Sequence, residues 1–262
     1  MDTPDTIRLS IFVVVLILCA LWESKKPRRA LSQSKKFRWL NNLGLVSFNS
    51  LCLTIFMPVL AFDVAVTAQA HQWGVLQYLQ LPTFAEFILC LVILDFVIYS
   101  QHIVFHKVPW LWRLHRMHHS DQDIDVTTGT RFHPIEIIIS MWIKIFTVIA
   151  FGISPIAVVC FEIILNASAM FNHSNAHLPK KVDFLMRKII VTPDMHRVHH
   201  SQNLSETHSN FGFFLSIWDK WFNTHIPQPE LGHEKMGIGV SIFQTTNEQR
   251  IDKMLTQPFR NG

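Results

Sequence analysis

Long, nearly uncharged apolar runs limit this chain to folds that a lipid bilayer can accommodate. A membrane-spanning helix needs ~20 mostly apolar residues. Residues 9–22 carry no charge, and residues 43–66 and 84–104 form two further candidate spans. Residues 135–172 are apolar apart from a break at Gly152-Ile153-Ser154-Pro155, which reads as the turn of a helical hairpin. Lys144 lies inside the first arm of that hairpin, where a lysine is costly unless it reaches the interface or faces protein. The composition agrees: 49% of residues are hydrophobic and 16% charged, against about 25% charged in soluble chains. The expectation is an all-α integral membrane protein with about four transmembrane helices. The polar segment from His173 onward would form a cytosolic helical cap. With no internal repeat or low-complexity linker, residues 1–262 read as one membrane-embedded domain.

The basic residues orient it. Residues 25–38 contain Lys25, Lys26, Arg28, Arg29, Lys35, Lys36 and Arg38, whereas residues 67–81 contain neither lysine nor arginine. Cytoplasmic loops carry the excess of positive charge, so the first loop is placed in the cytoplasm and the second outside. Residues 1–8 hold one base and two acids. That is unlike a cleaved signal peptide, so the first run is expected to stay as a helix with its amino terminus outside. A bacterial inner membrane and an endoplasmic reticulum membrane both fit this pattern. Trp39, Trp110, Trp112, Trp218 and Trp221 stand where interface anchors would help.

Several function classes drop out. The net charge of +4 comes with no basic stripe interleaved with aromatics, so nucleic acid is not an expected partner. Cys19, Cys52, Cys90 and Cys160 all lie in apolar runs without a C-x-x-C pair, which speaks against a disulfide framework or a zinc knuckle. No H-E-x-x-H and no G-x-S-x-G motif occurs.

Histidine is the outlier, with fifteen residues. Ten of them fall in four boxes: His102 and His106; His115, His118 and His119; His173 and His177; His196, His199 and His200. Positions i, i+3 and i+4 share one helix face, so each box presents its imidazoles together. Neutral imidazole is a common metal ligand, and ten rings exceed what one ion takes. The boxes lie at span ends and in the cap, so they can converge just outside the lipid on the cytoplasmic side. Spacing alone leaves zinc, copper, iron and nickel open. It also leaves open a metal transporter or storage protein, although transporter sites sit near the bilayer midplane. Metal-bound histidines are oriented by further partners, for which Asp95, Asp121, Asp125, Glu136, Asn172, Asn175, Asp194 and Asp219 are candidates.

Residues 84–225 resemble the fatty acid hydroxylase/sterol desaturase superfamily. The resemblance rests on the H-x3-H before PWLWRLHRMHHSD, on RFHPIE, on HSNAH, and on DMHRVHHS followed by ETHSNFG and WDKWF. Some members have four residues between the first two histidines, where this chain has three. The resemblance implies a catalytic core at 83–225 preceded by membrane helices at 1–82. It implies two iron ions (zinc being possible in purified protein) and dioxygen as cosubstrate. The reaction would be hydroxylation or desaturation at a C–H bond of a sterol or fatty-acyl lipid. All ten box histidines carry over as metal ligands, with His133 in RFHPIE and His208 in ETHSNFG near the site. Asp95 and Asp194 are retained as possible orienting groups. His71, His225 and His233 fall outside any box. No cytochrome b5-like stretch is present, so electrons are expected from a separate donor of cytochrome b5, ferredoxin or reductase type.

Overall fold

A computed structural model describes residues 4–261. Met1, Asp2 and Thr3, whose charge entered the orientation argument, and Gly262 lie outside the described residues. Helices dominate, and the only β pairings among the described residues are isolated bridges. Five helices are long and apolar enough to cross a membrane: α1 (Pro4–Lys25), α2 (Lys35–Phe56), α4 (Thr83–Lys107), α6 (Pro134–Phe151) and α7 (Pro155–His173). Both hairpin arms qualify, which brings the count to five where about four were expected. A short helix, α3 (Ala61–Ala70), packs on α6 and α7.

The predicted span at 43–66 is divided differently. Its helix starts at Lys35, because Ser34 caps it by accepting from the Phe37 N–H. It ends at Phe56, just before Pro58, which has no N–H to continue the ladder. Residues 57–60 turn the chain, and residues 61–66 become part of α3. Of the basic residues that read as loop, Lys35, Lys36 and Arg38 form the first turn of α2, whose Arg38, Asn42, Leu45 and Asn49 make a stripe buried against the cap.

The hairpin turn is as expected. Gly152 adopts φ +73°, a left-handed conformation that ends α6, and Pro155 starts α7. A Cβ on Gly152 would meet the Trp73 carbonyl oxygen at 2.3 Å. The turn therefore sits against the loop joining α3 to α4, at the opposite end from the histidines. Lys144 faces protein: it pairs with Glu162 at 2.6 Å, and Glu162 also pairs with Arg8. Outward positions such as Leu9, Leu18, Phe84 and Phe146 are at least 60% exposed, a lipid-facing pattern around a core built on α3, α4, α6 and α7.

The cap consists of the loop 120–133 and the residues after 173. α5 (Pro109–His119) leads into it, and within it are α8 (Lys180–Met186) and α9 (Pro193–His199). The basic 25–38 segment is stitched to this cap. Arg28 bonds Asp194 at 3.0 Å, the Arg29 N–H donates to Asn175, and Arg38 lies between Asp121 and Asp125. The basic loop and the histidine boxes therefore share one end of the helical bundle. Trp218 is buried and donates to Asp95 at 2.7 Å, while Trp110 and Trp221 are exposed.

Candidate metal centre

Nine of the ten box histidines converge. His102, His106, His115, His119 and His199 form one group; His118, His173, His196 and His200 form a second. Within each group the ligand-capable atoms lie within 4.8 Å of one another, and every member is buried. The groups are joined: the rings of His119 and His200 stack with centroids 4.4 Å apart.

Local sequence places these rings. Pro109 opens α5 and Pro193 opens α9, each in the first turn, where the missing N–H costs nothing. Thr192 caps α9 by accepting from the Met195 N–H. Each short helix therefore delivers an H-x2-H-H box at its last turn. Leu111 and Leu114, one turn before His115 and His118 on the same face of α5, pack against Phe105. Gly129 lets the turn at Val126–Thr130 approach α7 near His173, since a Cβ there would lie 2.5 Å from the Ala169 carbonyl oxygen.

Five of the nine Nδ1 atoms face outward to protein acceptors. His102 donates to the Phe211 carbonyl at 2.8 Å, His118 to Arg131 at 3.1 Å, His173 to Ala169 at 2.6 Å and His199 to Ser209 at 2.7 Å. His115 donates to Glu136 Oε1 at 2.7 Å. Such bonds fix the tautomer and leave Nε2 with a bare lone pair. Yet His102 Nε2 faces His115 Nε2 at 3.1 Å, and His173 Nε2 faces His118 Nε2 at 3.1 Å. Two lone pairs at that distance repel unless a cation lies between them. Nitrogens bound ~2.1 Å from one ion at right angles would stand ~3.0 Å apart. Both ring nitrogens of His106 and of His119, together with His199 Nε2, are buried without any protein partner. An unmet buried polar atom is costly, so the donor set fits metal ions.

Burial, and then repulsion among the neighbouring rings, pushes His118, His119, His196, His199 and His200 well below the ordinary histidine range. Those five rings are thus neutral and ready for metal at pH 7. The sign for stability follows. Below about pH 6.5 the unfolded chain takes up protons that the metal-free folded chain refuses, so folding weakens as pH falls. The melting temperature of metal-free protein is expected to be level above pH 7 and to drop on acidification below about pH 6.5. A midpoint independent of pH down to 5 would contradict this.

His177 stays outside the centre. α7 ends at His173 with Ser174 as its cap, so the H-x3-H spacing no longer describes one helix face. His177 is exposed, and its backbone N–H bonds the Lys26 carbonyl at 2.9 Å. His133 also has another role. It caps α6 by accepting from the Ile135 N–H at 3.2 Å, and its other nitrogen bonds the Leu255 carbonyl. His208 is exposed, with its ring 5.4 Å from that of His106. Asp95 holds Trp218 and the Leu215 N–H, and Asp194 pairs with Arg28 and Arg197; neither bonds a histidine of the two groups.

The supports that do touch the histidines are mostly backbone. RFHPIE supplies the Arg131 carbonyl and the Glu136 carboxylate, and ETHSNFG supplies the carbonyls of Ser209 and Phe211. Asn210, between those two, adopts φ +51° and donates to the Met195 and Ile226 carbonyls. Asp219 accepts from the Phe211 and Gly212 N–H groups and so stands one step behind His102; burial raises its carboxyl to about 6. Asp121 and Asp125 serve Arg38 instead, with Asp121 also 3.8 Å from Arg131. Against the upward push of burial, Arg38 and Arg131 hold Asp121 below the usual carboxylate range.

A cavity of about 230 Å³ opens from the first group into the helical bundle. His102, His115 and Glu136 form its floor. Its walls come from α1 (Phe12), α2 (Val46, Leu53), α4 (Ile98), α6 (Ile137) and α7 (Leu165). α1 and α2 thus contribute to the walls beside α4 and the hairpin. Glu136 links floor and ligand, so Glu136→Gln, which weakens the acceptor for His115, is expected to lower metal affinity about 10–100-fold. Chelator competition measures this, and unchanged affinity would make Glu136 a bystander.

The sequence profile of the fatty acid hydroxylase family matches residues 87–224, more than half of the chain. The chain belongs to the fatty acid hydroxylase family. Among its relatives, the ornithine lipid hydroxylase OlsE of Rhizobium tropici is 28% identical over 81% of this chain and 59% of its own length. The alkylglycerol monooxygenase of Xenopus tropicalis is 31% identical over 72% of this chain and 42% of its own. The cholesterol 25-hydroxylase of Mus musculus is 27% identical over 55% of this chain and 48% of its own. The chain thus spans about half the length of these relatives. No solved structure matches it. The family core begins in α4 and holds all nine converging histidines, whereas α1 and α2 precede it.

Proposed function

We propose that this protein is a membrane-bound, dioxygen-dependent di-iron oxidoreductase that hydroxylates a lipid. The observation carrying this reading is that the first of the two joined, buried histidine groups opens onto an apolar cavity lined by membrane helices. A metal storage or transport protein has no need of such a cavity beside its ions. His102, His106, His115, His119 and His199 would hold one iron; His118, His173, His196 and His200 would hold the other. When bound, the irons supply the oxidising power toward unactivated C–H bonds that no side chain has.

The chain's own residues do the rest. Imidazoles locked by carbonyl and carboxylate acceptors need little reorganisation on metal binding. Apolar walls receive an acyl or sterol skeleton from the bilayer and keep water from the centre. The cavity meets His102 and His115, so the reacting carbon is presented at that face. The relatives' names, hydroxylase and monooxygenase, favour oxygen insertion over desaturation. The basic 25–38 loop, tied to the cap, supports a cytoplasmic location for the centre, reachable by a separate electron donor. The test is reconstitution with iron, a reductant system and a lipid panel, read by mass spectrometry. A gain of one oxygen is expected; a loss of two hydrogens would mean desaturation, and metal flux without lipid oxidation would overturn the reading.

A further inference from the structure

The stripe on α2 that docks the cap ends at Asn49, and there the structure goes beyond the family core. Arg38 and Asn42 bond the loop 121–128, and Asn49, three turns along, donates from Nδ2 to the Phe132 carbonyl at 2.8 Å. That bond fixes the amide: nitrogen toward Phe132, oxygen away from it. Asn49 Oδ1 is buried and has no partner. The residue lines the cavity whose floor is His102 and His115. Phe132 borders the same cavity and stacks on His118 with ring centroids 4.6 Å apart. Asn49 therefore stands one residue away from the histidines.

A second buried acceptor without a partner, Glu136 Oε2, borders the same cavity. Most other polar side chains along the wall are engaged: Thr130 donates to the Thr127 carbonyl, and only the exposed Ser50 hydroxyl bonds no protein group. Gln101 and Ser140 bond each other, and Asn166 donates to the Glu162 carbonyl. The buried hydrogen-bonding capacity left unmet in this cavity thus lies on acceptors. Leaving a buried acceptor bare is unfavourable, and more so in apolar surroundings. A cavity occupant carrying a donor would satisfy it.

We propose that Asn49 Oδ1 is a substrate-recognition acceptor, taking a hydrogen bond from a hydroxyl or amide N–H of the lipid and so fixing which carbon lies against the His102–His115 face. This rests on the lipid-oxidation reading above. It narrows the substrates to lipids with an O–H or N–H within a few atoms of the attacked carbon. Lipids whose polar groups are all esters or ethers gain nothing from Asn49. The residue lies in α2, before the family core at 87–224, so the selectivity belongs to this chain's amino-terminal helices.

The test is equilibrium binding of cetyl alcohol and of cetyl methyl ether to the metal-free full-length protein, for wild type, Asn49→Leu and Asn49→Ala. Wild type is expected to bind the alcohol about tenfold more tightly than the ether. In both variants the ratio should fall close to one, through weaker alcohol binding with the ether unchanged. A ratio near one in wild type would overturn the proposal, since Oδ1 would then serve water alone. A preference that persists in both variants would overturn it too. So would loss of both ligands together in both variants, which is how a purely structural Asn49 behaves. Turnover of the iron-loaded enzyme on a lipid panel tests the underlying reading separately. No oxidation of any lipid, with the binding preference intact, would remove the oxidase assignment and leave the acceptor standing.

Discussion

Alanine at His199 or at His118 is expected to abolish lipid oxidation and release metal, while alanine at His177 leaves both within about twofold of wild type. His199 and His118 belong to different groups, so each variant should empty one half of the centre. Both side chains are buried, both are held by Nδ1 donation to a carbonyl, and both direct Nε2 at other histidines or at no protein group. Residues that act as a unit lose activity together, so a fall of about 10³-fold or more is expected for each. His177 is exposed and contributes only its backbone N–H to the fold. Metal analysis of purified protein, with circular dichroism to confirm helix content, separates ligand loss from misfolding. Full metal content in the His118 and His199 variants would remove the assignment, and metal loss in the His177 variant would restore the tenth ligand.

Arg38→Ala is expected to destabilise the protein by about 3–5 kcal/mol, as breaking one side of a buried ion pair does. Arg38 Nε bonds Asp125 at 2.9 Å, and its Nη atoms reach Asp121 and Thr128. Both carboxylates are 0% exposed. Removing the guanidinium strands two buried negative charges under the second histidine box, with only Arg131 at 3.8 Å from Asp121 to compensate. The triple change Arg38→Met, Asp121→Asn, Asp125→Asn removes the charges together and should recover much of the loss. Arg250→Ala, at an exposed pair with Asp252, should leave the midpoint unchanged. Denaturant titration in detergent measures all three. An unchanged midpoint for Arg38→Ala would mean that α2 does not hold the cap.

The two predictions divide at the point where sequence reading stops. Imidazole positions were legible because a helix converts i, i+3, i+4 spacing into a shared face. That conversion works for α4, α5 and α9 and fails for His177, because α7 ends four residues earlier. Helix ends depend on caps and on competing tertiary bonds, here the bridge that pairs Pro27 with Ala176. His133 and His208 sit in the right motifs, but the groups those motifs bring to the ligands are carbonyls and Glu136. A carbonyl is common to all residues, so sequence carries no mark of which one accepts. Arg38 and its neighbours read as a loop, because charge before an apolar run suggests water. The structure instead buries the Arg38 guanidinium against partners more than 80 residues away.

Sequence by itself determined the apolar helices, the broken hairpin, the end of the bundle that carries the boxes and the boxes that supply the nine converging histidines. Those features follow from local periodicity and from the exclusion of charge from lipid. Tertiary structure alone decided how the rings divide into two groups, which atoms orient them, and that α1 and α2 complete the cavity. It also placed the bare Asn49 oxygen on that cavity. These depend on which distant segments meet, and burial makes each meeting selective by penalising polar atoms left without partners.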